Sequence, residues 1–125
     1  MNKDYGILLI SHSEDIVKGL STLIREVAKD VSITIAGGTE DGGVGTSFDR
    51  INEAIEENMA TTILAFYDLG SAKMNLEMAM ELTDKEVIYY DTAFIEGAYT
   101  AAALLQAGVE FEEVKQQLLK LKIQK

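Results

Sequence analysis

The sequence has 125 residues, a net charge of −10 from 11 basic and 21 acidic side chains, no cysteine and one histidine. Its length suits one domain spanning residues 1–125, able to bury roughly two-thirds of the surface it exposes when unfolded, and 47% apolar residues exclude a disordered chain. Without cysteine there is no disulfide, thiolate nucleophile or cysteine zinc site, one histidine cannot build a His-rich metal site, and the acidic balance lacks the basic footprint of a nucleic-acid binder.

Four short apolar runs rich in β-branched or aromatic residues read as buried strands: Tyr5–Ser11, Val31–Ala36, Thr61–Tyr67 and Glu86–Tyr90. Helical periods lie between them. Ile16, Leu20, Leu23, Ile24 and Val27 predict one helix face, and Phe48, Ile51, Ile55 and Met59 a second. Leu76, Ala79 and Met80 mark a third helix. It carries a second apolar row, Met74, Met78 and Leu82, to be covered either by the chain itself or by another subunit. A fourth helix runs from Ile95 to Ala107 and stops at Gly108. A fifth presents Phe111, Val114, Leu118 and Leu121. The run Ile7–Ile10 is too short for a signal core, and no stretch nears the ~18–20 apolar residues of a membrane span, so a cytoplasmic protein without membrane contact is expected.

Alternating strands and helices predict an α/β fold: an open, mostly parallel doubly wound sheet with helices on both faces. Ligands of such sheets bind at the carboxyl ends of the strands, where strand order reverses. His12 follows the first strand in Ser11-His12-Ser13-Glu14-Asp15, with Ser13 placed to cap the next helix; the residue is either a reactive imidazole or an idle loop histidine. The second strand leads into Gly37 through Ser47, whose glycines permit tight turns. This loop lacks the Gly-Lys-Ser/Thr of a phosphate-binding loop and the last glycine of a dinucleotide fingerprint. Either it is a surface loop, or its N–H groups form a lysine-free cradle for a transient phosphate. Asp68-Leu69-Gly70-Ser71 follows the third strand. With strand order 2-1-3-4, Asp68 and His12 flank one crevice, and a carboxylate there would orient the imidazole and raise its basicity; Asp68 could also be only a helix cap. Asp91 or Thr92 after the fourth strand reads as a cap for the fourth helix.

His12, the Gly38-Thr39 loop and Asp68-Leu69-Gly70-Ser71 together resemble the mannose-type enzyme IIA domains of the bacterial sugar phosphotransferase system. Within that group the chain is similar to the subunit M family of phosphoenolpyruvate-dependent dihydroxyacetone kinases. Gly6-Ile7-Leu8-Leu9-Ile10-Ser11-His12-Ser13 and the stretch from Gly38-Thr39 to Gly45-Thr46-Ser47 carry the likeness. The resemblance implies a short antiparallel edge strand near the C-terminus and a homodimer. It also implies that His12 is phosphorylated, that Asp68 orients it, and that Ser13, Gly38, Thr39, Gly45, Thr46 and Ser47 surround the phosphate, with no metal or cofactor needed. The implied donor is phospho-HPr, borrowed from the general system because this chain carries no HPr-like domain. The implied acceptor is ADP on the kinase's nucleotide-binding subunit L. The alternatives are a sugar-specific enzyme IIA passing phosphate to an enzyme IIB, or a non-catalytic regulatory module.

Overall fold

The computed structural model describes residues 4–125. The elements are β1 (Tyr5–Ser11), α1 (Glu14–Arg25), β2 (Ser32–Gly37), α2 (Phe48–Glu57), β3 (Thr62–Tyr67), a 3-10 turn (Gly70–Ala72), α3 (Lys73–Leu82), β4 (Glu86–Tyr90), α4 (Phe94–Gln106) and α5 (Phe111–Leu119). The four strands form one parallel sheet in the order β2-β1-β3-β4. Period-two alternation splits the central strands between two cores. Ile7, Leu9, Leu64 and Phe66 pack under α1, α4 and α5, while Leu8, Ile10, Ile63 and Ala65 pack under α2 and α3. Each fully buried Leu or Ile contributes about 1.5–3 kcal/mol of hydrophobic stabilisation, so β1 and β3, apolar on both faces, anchor the fold.

That anchoring positions the site. From β1 the chain runs out to the β2 edge along α1, then returns across the opposite face along α2 to β3. The carboxyl ends of β1 and β3 therefore diverge side by side, with Ile10 paired to Tyr67. The residues that leave those strands, His12 and Asp68, meet there.

Three expectations change in detail. In α1 the buried face is Val17, Leu20, Ser21 and Ile24, continued by Ala28, whereas Ile16 and Leu23 are exposed. Ser21 hid this register, because a small polar residue sits on the buried face, where its hydroxyl accepts from Arg25 Nε at 2.9 Å. In α2, Ala54 joins Ile51 and Ile55 inside, and Met59 lies beyond the helix end, exposed. The antiparallel edge strand contracts to a single bridge between Thr92 and Lys122. It is flanked by bonds from Ala93 N–H to Leu121 O and from Ile123 N–H to Asp91 O. The second apolar row of α3 stays uncovered by the chain itself: Met74 is 73%, Met78 49% and Leu82 70% exposed.

Candidate active site

His12 sits one residue past β1, with its side chain 18% exposed. Its Nδ1 lies 2.9 Å from Asp68 Oδ1, and Ser71 Oγ lies 2.8 Å from its Nε2. An ionised carboxylate only accepts, so the network assigns the proton to Nδ1 and leaves the Nε2 lone pair facing outward, accepting from the Ser71 hydroxyl.

Asp68 is itself held by four donors. Oδ1 accepts from His12 Nδ1 and, at 2.7 Å, from the Leu69 N–H. Oδ2 accepts from the Ser11 hydroxyl at 2.7 Å and from the His12 backbone N–H at 3.0 Å. Burial pushes this carboxyl upward, but the donors, led by Ser11, outweigh it and hold the group below the usual carboxylate range. Asp68 is therefore a fixed anion that aims the ring. It caps neither the 3-10 turn nor α3, whose N-cap positions are Leu69 and Ala72.

Ser11 is a positioning residue that sequence reasoning passed over. It is fully buried, and besides donating to Asp68 it accepts from the Ser13 N–H at 3.0 Å. A polar residue closing an apolar strand beside the His12 loop was the available signal. Ser71 was visible only as part of the Asp68-Leu69-Gly70-Ser71 string.

The glycine loop reaches the site through its backbone. Gly45 N–H donates to His12 O at 2.9 Å, and Gly38 N–H to Ser11 O at 3.1 Å. Gly45 has φ +141° and Gly38 φ +75°, which side-chain-bearing residues rarely adopt. Gly37 is required for a different reason: a Cβ there would fall 2.8 Å from the Glu14 Cα, so glycine lets the start of α1 press against the end of β2. Inside the loop, Thr39 N–H donates to Gly43 O, Gly42 N–H to Thr39 O, and Gly43 N–H to the Thr39 hydroxyl and to Asp41. Thr46 Oγ1 accepts from Asn75, and Ser47 caps α2 through the Arg50 N–H. The structure thus brings together His12, Asp68, Ser13 and the backbone of Gly38 and Gly45. The hydroxyls of Thr39, Thr46 and Ser47 bond within the loop, to α3 and to α2.

Two further expectations concern caps. Ser13 occupies the N-cap position of α1 but makes no side-chain cap bond, so it does not cap by its hydroxyl. Asp91 and Thr92 do not cap α4, whose N-cap residue is Ala93. Asp91 instead accepts from the Tyr67 hydroxyl and pairs with Lys73 Nζ at 3.2 Å, while Thr92 Oγ1 is buried with no hydrogen-bond partner. Burial first, then the bond to Asp91, pushes the Tyr67 phenol up to about 12.

Residues 6–115 match the family described as EIIA-man, the "PTS system fructose IIA component". The chain belongs to the EIIA-man family. It is 57% identical over 121 residues to a protein of Lactococcus lactis subsp. lactis (strain IL1403) named "PTS-dependent dihydroxyacetone kinase, phosphotransferase subunit DhaM", covering 97% of this chain and 98% of that one. It is 51% identical over 123 residues to a Listeria innocua serovar 6a protein named "PEP-dependent dihydroxyacetone kinase 1, phosphoryl donor subunit DhaM", covering 98% and 99%. The crystal structure of a protein of unknown function, EF1359, superposes with a TM-score of 0.81 at 27% identity, covering 97% of both chains. The family's fold, an α/β sheet in the order 2-1-3-4, is the one seen here. Among the described residues, no helix is long and apolar enough to cross a membrane.

Proposed function

We propose that this EIIA-man chain is the phosphoryl donor subunit of a dihydroxyacetone kinase, a cytoplasmic phosphotransferase that carries the group as a phosphohistidine on His12. The observation that carries the reading is a surface imidazole with one nitrogen clamped by a buried-edge carboxylate and the other presented outward. Supporting it are two relatives that match almost end to end, one named a phosphotransferase subunit and the other a phosphoryl donor subunit of a dihydroxyacetone kinase.

Phosphoryl transfer asks the protein for in-line placement and charge stabilisation rather than covalent work. Asp68 fixes the tautomer and the ring plane, so the Nε2 lone pair meets the phosphorus of the donor phosphohistidine on HPr. As the N–P bond forms, the Nδ1 proton stays between ring and carboxylate, and Asp68 stabilises the positive charge that develops on the imidazole. The Ser71 hydroxyl then turns from Nε2 to a phosphoryl oxygen. The first-turn N–H groups of α1, which no Ser13 hydroxyl occupies, supply further donors. Gly38, Gly45 and the loop through Thr39, Thr46 and Ser47 support that pocket by fixing the backbone of Ser11 and His12. The acceptor is ADP held by the nucleotide-binding subunit L. The protein works as a homodimer, in which the exposed row Met74, Met78 and Leu82 of α3 packs against a second copy.

Purified protein incubated with labelled phosphoenolpyruvate, enzyme I and HPr takes up label on His12, and His12→Ala abolishes uptake without changing the fold. Adding subunit L loaded with ADP removes the label. Undiminished labelling of the variant would eliminate His12 from the mechanism. Label that leaves only to a sugar-specific enzyme IIB would replace the kinase assignment. Met78→Glu yields monomers in analytical ultracentrifugation; an unchanged sedimentation coefficient would move the interface elsewhere.

A further inference from the structure

Several cations among the described residues have a local partner of their own. Lys18 pairs with Glu14, Lys115 with Glu112, and Lys85 with the carbonyls of Ile55, Glu56 and Asn58. At the carboxyl end of β4, by contrast, Lys73, Lys122 and Lys125 line a single hollow of about 500 Å³ in which Asp91 is the sole acidic side chain. Asp91 is already paired with Lys73 at 3.2 Å, so among the described residues Lys122 and Lys125 have no carboxylate partner of their own, in a protein of net charge −10.

The hollow adjoins His12 through one short loop. Ser71, which bonds His12 Nε2, follows Gly70, and a Cβ on Gly70 would lie 3.2 Å from the Lys125 backbone carbonyl. The Lys125 ammonium donates to the Tyr67 carbonyl, one residue before Asp68, and lies 4.1 Å from the Tyr67 ring centroid. Burial pushes this ammonium down, and Asp91 and Asp68 only partly offset that push, while Lys73 adds repulsion. An additional anion would relieve the excess. The glycine loop competes poorly for such an anion, because it carries Glu40 and Asp41 and bonds the N–H groups of Thr39, Gly42 and Gly43 internally.

We propose that the Lys73–Lys122–Lys125 hollow is a phosphate subsite that receives the diphosphate of the nucleotide acceptor as it approaches His12. The inference rests on the reading of His12 as donor to ADP. A nucleoside diphosphate carries several negative charges and must approach a protein whose overall field repels it. A local cation excess one loop from the reactive nitrogen lowers that barrier without a grip on His12 itself. The phosphoryl group passes from His12 Nε2 to a terminal diphosphate oxygen: the N–P bond breaks, its electron pair returns to Nε2, and the new O–P bond makes the triphosphate.

The test separates the two half-reactions. Lys122 is exposed and touches neither His12 nor Asp68, so Lys122→Glu leaves labelling by phospho-HPr within about twofold, the range of a solvated surface charge. The same change slows the chase by ADP-loaded subunit L about tenfold, because a like charge now meets the diphosphate. Lys122→Arg restores the chase. Sodium pyrophosphate titrated into the unphosphorylated, nitrogen-15-labelled protein shifts the amides of Lys122 to Lys125, and Lys122→Glu removes those shifts. An unimpaired chase overturns the proposal, as do pyrophosphate shifts confined to residues 38–47. A slowed chase without pyrophosphate shifts also overturns it, since a carboxylate of the acceptor protein would then occupy the hollow. If the unaltered protein gives no label to ADP, the kinase assignment falls, while the pyrophosphate shifts still decide whether the hollow binds phosphate.

Discussion

Asp68 and Asp91 follow neighbouring parallel strands at the same edge of the sheet, yet they stand in opposite company. Asp68 gathers neutral or ring donors from Ser11, Leu69 and His12, stays ionised and orients an imidazole. Asp91 gathers a phenol and an ammonium, Tyr67 and Lys73, so its charge is spent on a group that cannot leave. Both carboxyls are held below their usual range with burial opposing, so the shift alone does not tell them apart. What separates them is the partner. A carboxylate whose partner keeps a lone pair on its second ring nitrogen can steer chemistry, whereas one neutralised by lysine can only brace.

The sharpest way to break this contrast is to delete each carboxylate. Asp68→Ala slows labelling of His12 by about 10- to 100-fold, the usual cost of losing a histidine's orienting partner. Asp91→Ala leaves labelling by phospho-HPr nearly unchanged, because its ties run to Tyr67 and Lys73 and not to His12. Equal losses in a rapid-quench labelling assay would mean that the two aspartates act as one network.

Next in size is the buried hydroxyl that distinguishes the Asp68 cluster. Ser11→Ala removes a donor from Asp68 and an acceptor from Ser13 together. Leaving buried polar groups unsatisfied costs about 1–3 kcal/mol, read as a lower urea midpoint. A variant as stable as the parent would show that water replaces the hydroxyl.

The pH dependence sharpens the comparison further. A carboxyl whose folded value lies below the unfolded value, about 3.9 for aspartate, contributes stability that is complete above that pH. The contribution is lost as pH falls through the folded value. Asp68→Asn removes the contribution, so its deficit against the parent is largest near neutrality and shrinks as the solution is acidified below about pH 4. A deficit that stays constant down to pH 2 in acid-unfolding curves would assign the cost to packing alone.

Much of this was readable before any coordinates. Four apolar runs alternating with helical periods specify the doubly wound sheet, since β-branched strands and 3.6-residue stripes leave few other arrangements. The strand order 2-1-3-4 predicts that His12 and Asp68 flank one crevice, but whether Asp68 orients the ring or only caps a helix needed the observed contact. The register of α1 did not follow, because Ile16 and Leu23 mimic a core stripe while Ser21 hides on the buried side. Ser11 was masked by the same ambiguity, for a serine ending a strand looks like any turn residue until its neighbour 57 positions away is in place. The bonding within the glycine loop and the clustering of Lys73, Lys122 and Lys125 depend on which loops meet, information that no local pattern contains.

Ser71 is expected to give the smallest effect, and its size separates two views of the site. Its hydroxyl lies 2.8 Å from Nε2 and therefore covers the lone pair that attacks in the proposed transfer. Phosphorylation has to break that bond before the hydroxyl can serve a phosphoryl oxygen, so the ground-state loss and the later gain nearly cancel. Ser71→Ala should slow labelling by no more than about tenfold, the upper range of one net hydrogen bond. If the rate instead falls as far as in Asp68→Ala, the hydroxyl acts mainly in the transition state, and charge stabilisation on the phosphoryl side would rival ring orientation as the larger contribution of this crevice.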